Sequence, residues 1–313
     1  MPNISVIINN YNYGELVGRA IESALAHTAD TVEVVVVDDG STDGSVDVLA
    51  RYRDRVRLIV QENGGQAAAI NAGVRESRGE ILCFLDADDW WVPQKISAII
   101  EVMKANPRVA LAYHRLQPAL VDGEPILKPF PRTLCLGDLA PRMARSAGWW
   151  PFPLTSALSV RRSAWEVAGP IPTELRISAD AWLVGIYPFL GDVAALPAAL
   201  GFYCLHGRNN WSRQGVDPVM LAKRIAHWQT TIRLTNAFLA GRAGAPTLRL
   251  EDHYPLQLAE AQLGGATLGR RLSLALQGLT FGGEPHLLRR VRNTLRDVAA
   301  LPRPGHGPAA SQT

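Results

Sequence analysis

Strand-like and helix-like patterns alternate over roughly the first 115 residues of this chain. Ile4–Ile8, Val32–Val37 and Glu80–Leu85 are short, mainly apolar runs of the kind that form buried strands. Between them, Glu15–His27 and Gln66–Ser77 carry apolar side chains at helical spacing. Alternation of this kind predicts an α/β fold, with a mostly parallel central sheet that helices cover on both faces.

Polar loops follow three of the predicted strands. They lie at Asn9–Tyr13, Asp38–Asp43 and Asp86–Asp89. Ligands of parallel sheets bind at the carboxyl ends of strands, so we expect these loops to meet at one edge. In the third loop Asp86, Asp88 and Asp89 crowd together, and such carboxylates raise one another's pKa unless a cation or hydrogen-bond donors compensate. Their oxygens suit Mg²⁺ or Mn²⁺, which favours a metal site over a solvated acidic turn that caps the next helix.

The second half of the chain has a different character. From about Gln117 to Leu205 prolines and two tryptophan-rich stretches break the regular pattern, which predicts irregular loops with short strands. Helices are predicted at Pro218–Leu239, about Glu251–Leu279 and Pro285–Leu301. We expect one large domain over residues 1–215, a helical region over 216–302, and a disordered tail rich in Pro, Gly and Ala over 303–313.

The last predicted helix, Pro285–Leu301, is amphipathic and basic. It places Leu288, Val291, Leu295 and Val298 on one face, with arginines around them. Such a helix can make peripheral contact with an anionic membrane, or it can pack on the large domain with its arginines in water. The sequence leaves both arrangements open.

Composition limits the class of protein only broadly. The chain has 313 residues and a formal net charge of only +3, so nothing in it demands nucleic acid. Its three cysteines are far apart, which fits reduced thiols in a reducing compartment. A strand begins directly after Met1-Pro2-Asn3 without a signal-peptide pattern, and no apolar stretch approaches the roughly 18 residues of a spanning helix. We expect a cytoplasmic protein, with peripheral contact at the inner face of the cell membrane as a further possibility.

Six segments of the chain together resemble one known family. They are Ser5–Asn12, Val34–Asp43 (VVVVDDGSTD), Asn63–Gly73 (NGGQAAAINAG), Phe84–Trp90 (FLDADDW), Ser178–Asp180 and Tyr203–Ser212 (YCLHGRNNWS). In this order and spacing they look like a family 2 glycosyltransferase of the GT-A fold, over roughly two thirds of the chain. The resemblance implies a Rossmann-like catalytic domain, a mostly parallel sheet flanked by helices, with a helical extension at its C-terminal end.

The same resemblance implies an activity. Family members transfer a sugar from a nucleotide diphosphate donor to a hydroxyl acceptor, with inversion at the anomeric carbon and with Mg²⁺ or Mn²⁺ as cofactor. A UDP-sugar is the expected donor. The acceptor is expected to be a glycan, a lipid-linked glycan or a small molecule, in the biosynthesis of a surface polysaccharide or glycoconjugate.

The nucleoside is expected at the first two polar loops. The resemblance places the base against Asn9, Tyr11 and Asp38, with Asp39 beside them. Asp38 at a strand end can accept the N3–H of uracil, and the ring of Tyr11 can stack on a base. The alternative for Asp38 and Asp39 is ordinary turn chemistry, in which they cap the following helix.

The diphosphate is expected near the acidic loop. By resemblance Asp86 bonds the ribose or the nearby base, Asp88 ligates the metal, and Ala87 lies between them against the donor. A neutral imidazole at His206 can be a further metal ligand, and Arg208 can pair with phosphate. The alternative for His206 is a hydrogen-bonded loop histidine.

Inverting transfer needs a general base that takes the proton of the acceptor hydroxyl. The resemblance assigns this role to Asp180, although the Glu that precedes the Asp in the family is Ala179 here. The alternative for Asp180 is a helix N-cap. The family's glycine-rich segment often has Arg before Asn, whereas this chain has Ile70, so Gln66 is expected to contribute to donor binding instead.

Trp149 and Trp150 lie in a tryptophan-rich stretch and are candidates for the acceptor site. Aromatic faces stack well on sugars, but paired tryptophans are more often part of a core.

Three rival functions fit parts of the pattern. A phosphohydrolase also uses an Asp-x-Asp loop after a strand, but it usually has Thr or Val where this chain has Trp90. A sugar nucleotidyltransferase would carry a basic phosphate loop after the first strand, and Asn9–Gly14 has no basic residue. A non-catalytic nucleotide-sugar-binding protein is the third alternative, and Ala179 and Ile70 give it some support.

Overall fold

The computed structural model describes residues 3–27, 32–207 and 217–304. The backbone forms two compact units. The first comprises Met1–Leu139 and Phe152–Asn209, and the second comprises Ala140–Pro151 and Asn210–Thr313. The segment Ala140–Pro151 therefore groups with the second unit, whereas the sequence pattern assigned it to the large domain.

An eight-stranded sheet forms the centre of the first unit. In chain order its strands are β1 Ile4–Asn10, β2 Val32–Asp38, β3 Arg57–Val60, β4 Ile81–Asp86, β5 Trp90–Trp91, β6 Val109–Leu120, β7 Leu158–Arg161 and β8 Asp192–Leu205. They lie side by side in the order β3-β2-β1-β4-β7-β6-β8-β5. The pairs β1–β2, β1–β4, β2–β3 and β6–β8 are parallel, while β7 is antiparallel to β4 and β6, and β5 to β8. The predicted α/β fold with a mostly parallel sheet is confirmed.

The described residues form eleven α-helices. They are α1 Gly14–Leu25, α2 Ser45–Ala50, α3 Gln66–Arg75, α4 Lys95–Ala105, α5 Ala140–Arg145, α6 Arg162–Ala168, α7 Asp180–Ile186, α8 Pro218–Leu239, α9 Tyr254–Gly264, α10 Leu268–Thr280 and α11 Leu287–Ala299. On α1 the helical spacing of Val17, Ile21 and Ala24 points these side chains at one face. They are fully buried in the core that α1 and α4 form with β1, β2 and β4.

The region between residues 117 and 205 is more regular than the sequence predicts. β6 has 12 residues and β8 has 14, so the expectation of short strands is wrong there. Pairing between them shifts register where Leu196 lies opposite His114 and Ala199 lies opposite Arg115. Pro197 sits in this irregularity, because a proline has no N–H to donate to a regular ladder. The proline that broke the sequence pattern therefore marks a bulge inside a long strand.

The second unit is helical, as predicted, with one correction. The single helix expected over Glu251–Leu279 is two helices, α9 and α10. Helix α9 ends at Gly265, whose φ of +75° favours glycine. A Cβ added at this position would lie 2.6 Å from the carbonyl oxygen of Arg303. The side chain of Thr267 then caps α10 by accepting from the N–H of Arg270. Among the residues described, no helix combines the length and the apolar character that crossing a bilayer requires.

Candidate active site

The carboxyl ends of β1, β2 and β4 bring the polar loops together. β1 lies between the other two strands, and all three are parallel. In the ladder Asn10 is opposite Asp38, and Asn9 is opposite Asp86. Side chains from three separate stretches of sequence therefore meet at one edge of the sheet, where ligands of parallel sheets bind.

The acidic loop after β4 is the most highly charged part of this edge. Asp86, Asp88 and Asp89 offer carboxylate oxygens that all lie within 4.8 Å of one another. Burial and the neighbouring charge of Asp88 raise the pKa of Asp86 to about 7, against opposing hydrogen bonds from Asn9 and Gln66. A divalent cation relieves this repulsion, and carboxylate oxygens are the ligands that Mg²⁺ and Mn²⁺ prefer. The donor set thus fits a hard divalent cation.

Asp89 differs from the other two acids because it is buried, at 1% exposure, whereas Asp86 and Asp88 are partly exposed. Its Oδ1 accepts from the backbone N–H of Cys204 at 2.9 Å. Burial, followed by the charges of Asp88 and Asp86, raises its pKa well above the usual value. Asp89 therefore ties the acidic loop to β8, and the fit to a cation is strongest for Asp88 and Asp86.

His206 and Asp88 are brought together although they are far apart in sequence. His206 Nε2 lies 2.8 Å from Asp88 Oδ2, and the ring of Tyr13 lies edge-on to the imidazole at 5.3 Å. A carboxylate oxygen can accept from Nε2–H in one tautomer of the ring, and in the other tautomer the lone pair of Nε2 is free to bind a cation. Arg208 lies outside the described residues, so its phosphate contact stays a prediction.

Asp38 is fully buried at the end of β2. Its Oδ2 accepts from Asn10 Nδ2 at 2.7 Å and from Ser41 Oγ at 2.7 Å, and its Oδ1 accepts from Ser41 N at 2.9 Å. The loop after β2 is thus folded around this carboxylate. The arrangement fixes Asp38 next to the end of β1.

Asp39 organises the glycine-rich loop that leads into α3. Its Oδ1 accepts from Gln61 Nε2 at 2.7 Å and from Gly64 N at 2.9 Å, and its Oδ2 accepts from Gly65 N at 2.7 Å. Gly65 has a φ of +88°, and an added Cβ would lie 2.8 Å from the carbonyl oxygen of Arg176. The structure therefore gives Asp39 a role in loop shape, and its expected contact with the nucleotide stays a prediction.

Asn9 and Asn10 present unused acceptors at this edge. Asn9 Nδ2 donates to Asp86 Oδ1 at 3.0 Å. Within the described ranges, the Oδ1 atoms of Asn9 and Asn10 are buried and accept no hydrogen bond. Buried polar atoms are almost always paired in proteins, so a ligand with N–H or O–H donors fits here. The ring of Tyr11, in the next turn, is 45% exposed.

Gln66, the first residue of α3, joins three parts of the site. Its Nε2 donates to Asp86 Oδ1 at 2.8 Å and to Thr155 Oγ1 at 3.2 Å. Its Oε1 accepts from the backbone N–H of Ala179 at 2.9 Å. One side chain thus connects the acidic loop to the residue that precedes Asp180. The expected contribution of Gln66 to donor binding stays a prediction beside this positioning role.

The sequence did not single out Thr155 and Ser156, which form a short 3₁₀ turn under the acidic loop. Ser156 Oγ accepts from the backbone N–H of Asp86 at 3.1 Å, and its carbonyl accepts from Trp91 Nε1 at 2.8 Å. The backbone N–H of Ala87 donates to the carbonyl of Asn9 at 3.2 Å. These contacts hold the acidic loop. The only local signal was a Thr-Ser pair beside a tryptophan-rich stretch, which does not encode such a contact.

Asp180 is the first residue of α7 and is only 6% exposed. Burial raises its pKa to about 6, although the backbone N–H groups of Ala181, Asp180 itself and Thr155 oppose the rise. Its charge in turn raises the pKa of Asp86, so the two carboxyl groups are neighbours. Ala179 occupies the N-cap position, and Asp180, the first residue of α7, accepts from N–H groups of the first turn, so the general-base role and a role at the helix N-terminus both stay predictions. A carboxyl group with a pKa near neutrality is suited to act as a general base.

Ile70 is fully buried on α3, so its own side chain is not available to a ligand. Trp149 and Trp150 belong to the second unit. Trp150 is fully buried, and Trp149 packs against Phe281 with ring centroids 5.4 Å apart. Their expected role at the acceptor stays a prediction.

The fold and the site together define a class of protein. A parallel sheet whose carboxyl edge holds clustered acids, unused amide acceptors and a buried carboxyl of near-neutral pKa suits an enzyme that binds a nucleotide diphosphate. Known proteins that are similar to this chain identify the family within this class.

The sequence profile described as "Glycosyl transferase family 2" matches residues 5–146. An uncharacterized glycosyltransferase of Nostoc sp. is 38% identical over 247 residues, which cover 75% of this chain and 75% of the relative. Uncharacterized glycosyltransferases of Rickettsia species match 33% to 36% of this chain, which spans 17% to 32% of their length. The chain therefore belongs to glycosyltransferase family 2.

Solved structures have the same fold. TarS of Staphylococcus aureus, residues 1–349 in complex with UDP-GlcNAc, aligns with a TM-score of 0.55 at 17% identity, covering 96% of this chain and 92% of that chain. The mannosyltransferase PcManGT of Pyrobaculum calidifontis, in complex with GDP-Man and Mn²⁺, aligns with a TM-score of 0.54 at 20% identity, covering 95% and 86%. The chain is a glycosyltransferase with the GT-A fold, which confirms the resemblance and speaks against a phosphohydrolase or a sugar nucleotidyltransferase.

Proposed function

We propose that this chain is a metal-dependent, inverting glycosyltransferase that moves a sugar from a UDP-sugar donor to a hydroxyl acceptor. The observation that carries the proposal is the convergence of Asn9, Asp38, Asp86, Asp88 and Asp180 around one edge of the sheet. Asn9 and Asp38 suit a nucleoside. Asp86 suits the ribose, Asp88 suits a cation, and Asp180 suits a general base.

The unused acceptors support a pyrimidine nucleotide. Uracil carries an N3–H, which the Oδ1 atoms of Asn9 and Asn10 can accept. A carboxylate has about four acceptor positions, and three hydrogen bonds to Asp38 leave one for the same donor. Tyr11 offers an exposed ring to the base. TarS binds UDP-GlcNAc and PcManGT binds GDP-Man, so the fold is compatible with either base, and the nucleotide titration below distinguishes them.

Asp88 and His206 would hold Mg²⁺ or Mn²⁺, and Asp86 beside them would bond the ribose or the nearby base. When bound, such an ion would stabilise the negative charge that develops on the departing nucleotide diphosphate. The chain's own contribution is to fix the carboxylates: Ser156 bonds the backbone of Asp86, and Gln66 bonds its side chain. The complex of PcManGT with Mn²⁺ supports this assignment.

Asp180 would act as the general base. It accepts the proton of the acceptor hydroxyl while that oxygen forms a bond to the anomeric carbon, and the electron pair of the broken sugar–phosphate bond leaves with UDP. A single displacement of this kind inverts the anomeric configuration. Because the pKa of Asp180 is about 6, its carboxyl is mostly ionised at neutral pH and ready to accept the proton. The acceptor is proposed to be a glycan, a lipid-linked glycan or a small molecule of surface polysaccharide or glycoconjugate biosynthesis.

The proposal is tested by calorimetric titration of the full chain with UDP, GDP and ADP, each with and without Mn²⁺. We expect UDP to bind at least about tenfold more tightly than GDP or ADP, a difference of about 1.4 kcal/mol, and only with the ion. The variant Asp88→Asn should lose the gain in UDP affinity that Mn²⁺ brings, and the exposed control Asp54→Asn should retain that gain. Equal binding of all three nucleotides, or binding that ignores Mn²⁺, would contradict the proposal.

A second measurement separates an enzyme from a binding protein. Release of UDP from UDP-sugars is followed without an added acceptor, since slow donor hydrolysis is expected of a transferase. Tight donor binding without hydrolysis, and without transfer to a broad acceptor panel, would instead favour the non-catalytic alternative.

A further inference from the structure

Two helices of the second unit expose leucine side chains. On α10 the side chains that face outward are Leu268, Leu272, Leu276 and Leu279, which are 73%, 64%, 66% and 37% exposed. Their spacing of four, four and three residues aligns them along one face of the helix. Isolated exposed leucines are ordinary, but a continuous stripe marks a surface that another apolar body covers.

Helix α11 also exposes leucines, of which Leu288 and Leu295, seven residues apart, lie on one face. Leu287, Leu288 and Leu295 are 60%, 86% and 61% exposed. The inner side of α11 is closely packed, because Thr294 is buried and an added Cβ on Gly278 of α10 would lie 2.5 Å from Thr294 Oγ1. The two helices therefore pack through small residues and keep their leucines in water.

Arginines lie beside the leucines of α11. Arg292 and Arg296 are exposed, and helical spacing places them next to Leu288 and Leu295 on the helix surface. Arg296 also pairs with its neighbour Asp297 at 2.7 Å. From residue 268 to residue 304 the chain has seven arginines and only two acidic residues. The leucines and exposed arginines of α10 and α11 are called the leucine–arginine surface below.

We propose that the leucine–arginine surface docks on a bilayer that contains anionic lipid. Leucines along a helix can enter the boundary of the acyl chains without a shape-matched partner, and flanking arginines can reach the lipid phosphates. Seven arginines against two acidic residues give this segment an excess of positive charge. Anionic lipid supplies the complementary negative charge. A second copy of this chain fits less well, because it would bring two arginine-rich surfaces together. The proposal is independent of the donor and acceptor of the enzyme.

Vesicle flotation of the full chain tests the proposal. The vesicles contain phosphatidylcholine alone, or phosphatidylcholine with phosphatidylglycerol. The variant Leu288→Gln/Leu295→Gln removes apolar contacts from α11. A matched control, Leu127→Gln/Leu136→Gln, changes two leucines of the first unit that are 63% and 65% exposed. We expect the wild type and the control to float with anionic vesicles and not with neutral ones, and the α11 variant to partition at least about tenfold more weakly.

The contribution of charge has its own variant. Arg292→Gln/Arg296→Gln should weaken partition into anionic vesicles by about fivefold for each arginine, and added salt should weaken the wild type in the same direction. All six positions are on the surface, so melting temperatures within a few degrees of wild type are expected and confirm that the variants fold.

Three results would overturn the proposal. One is failure of the wild type to float with anionic vesicles, and another is flotation that neither α11 variant changes. The third is a concentration-dependent dimer in light scattering that Leu288→Gln/Leu295→Gln abolishes, together with no vesicle binding. That result would assign the leucine–arginine surface to a second copy of the chain.

Discussion

Replacing Asp180 with asparagine should abolish transfer and stabilise the protein at the same time. The substitution keeps the size of the side chain and an oxygen that can accept from the backbone N–H groups of Ala181 and Thr155. It removes the group that takes the proton, and it removes a charge that is buried at the start of α7. The two consequences have opposite signs, which makes the experiment informative.

The size of the stabilisation follows from the pKa of Asp180. Burial raises it from 3.8 to about 6, and each unit corresponds to 1.36 kcal/mol, so ionised Asp180 costs the folded state roughly 3 kcal/mol at pH 7. The amide must also be buried, so this value is an upper bound. For a domain of this size each kcal/mol raises the melting temperature by about 2–4 °C.

The sign of the pH dependence is fixed by the direction of the shift. A folded-state pKa above the unfolded value means that the unfolded chain releases the proton first as the pH rises. The cost of Asp180 is therefore absent below about pH 4, grows up to about pH 6, and is constant above. The advantage of the Asn variant in melting temperature should follow the same course.

The loss of activity is set by the role of the base. Removing a general base typically slows a reaction by about 10²–10⁴-fold. Donor affinity should stay within about threefold, a difference of less than 1 kcal/mol, because Asp180 makes no contact with the nucleotide in the proposed arrangement. The wild-type rate should fall as the pH drops through about 6, where Asp180 gains its proton.

Three measurements test these effects: donor turnover, donor affinity, and the melting temperature at several pH values. The exposed variant Asp54→Asn is the control. Turnover of the Asp180 variant within tenfold of wild type would refute the assignment of the base. If the Asp180→Asn variant does not melt at a higher temperature than wild type at pH values above about 6, the account of the burial of Asp180 would be refuted.

The remaining predictions concern the loops around the site. The variant Asp88→Asn should lose protection from thermal unfolding by Mn²⁺ and UDP together, and undiminished protection would exclude it as a metal ligand. Gln66→Leu should lower stability by about 1.5–3 kcal/mol in chemical unfolding, because it removes a donor from Asp86, and should lower kcat as well; a wild-type kcat would deny it a positioning role. Gly65→Ala should lower the free energy of unfolding by about 1–3 kcal/mol more than Gly137→Ala does, measured by chemical unfolding. Both glycines have positive φ, but only Gly65 lies against Arg176. Equal losses of stability would contradict the steric account.

The part of the fold that could be predicted from sequence is the part with local signals. β1, β2 and β4 are apolar runs with polar loops directly after them, and α8 was predicted with its observed bounds, Pro218–Leu239. β8 was missed because its alanines and Pro197 have little strand propensity, and only pairing with β6 imposes the extended backbone. The break at Gly265 had a signal in the sequence, two adjacent glycines, which the apolar spacing on either side obscured.

The candidate site divides in the same way. Asp38, Asp86 and Asp88 could be found because acids at strand ends are visible in a linear pattern. The contacts that position them were not visible, since they join distant stretches of chain. Ser156 lies 70 residues from Asp86, and Ala179 lies 113 residues from Gln66. Side-chain hydrogen bonds of this kind leave no periodicity in a single sequence.

The contact between Gln66 and Ala179 also bears on the departure from the family pattern at position 179. The family usually has Glu there, before the catalytic Asp, and an alanine side chain cannot replace its hydrogen bonds. In this chain the backbone N–H of Ala179 donates to Gln66 Oε1, while Gln66 Nε2 donates to Asp86. We infer that one amide group positions the start of α7, and thus Asp180, relative to the acidic loop. Because a backbone N–H makes the contact, the identity of the side chain at position 179 matters less to this geometry than the glutamine at position 66.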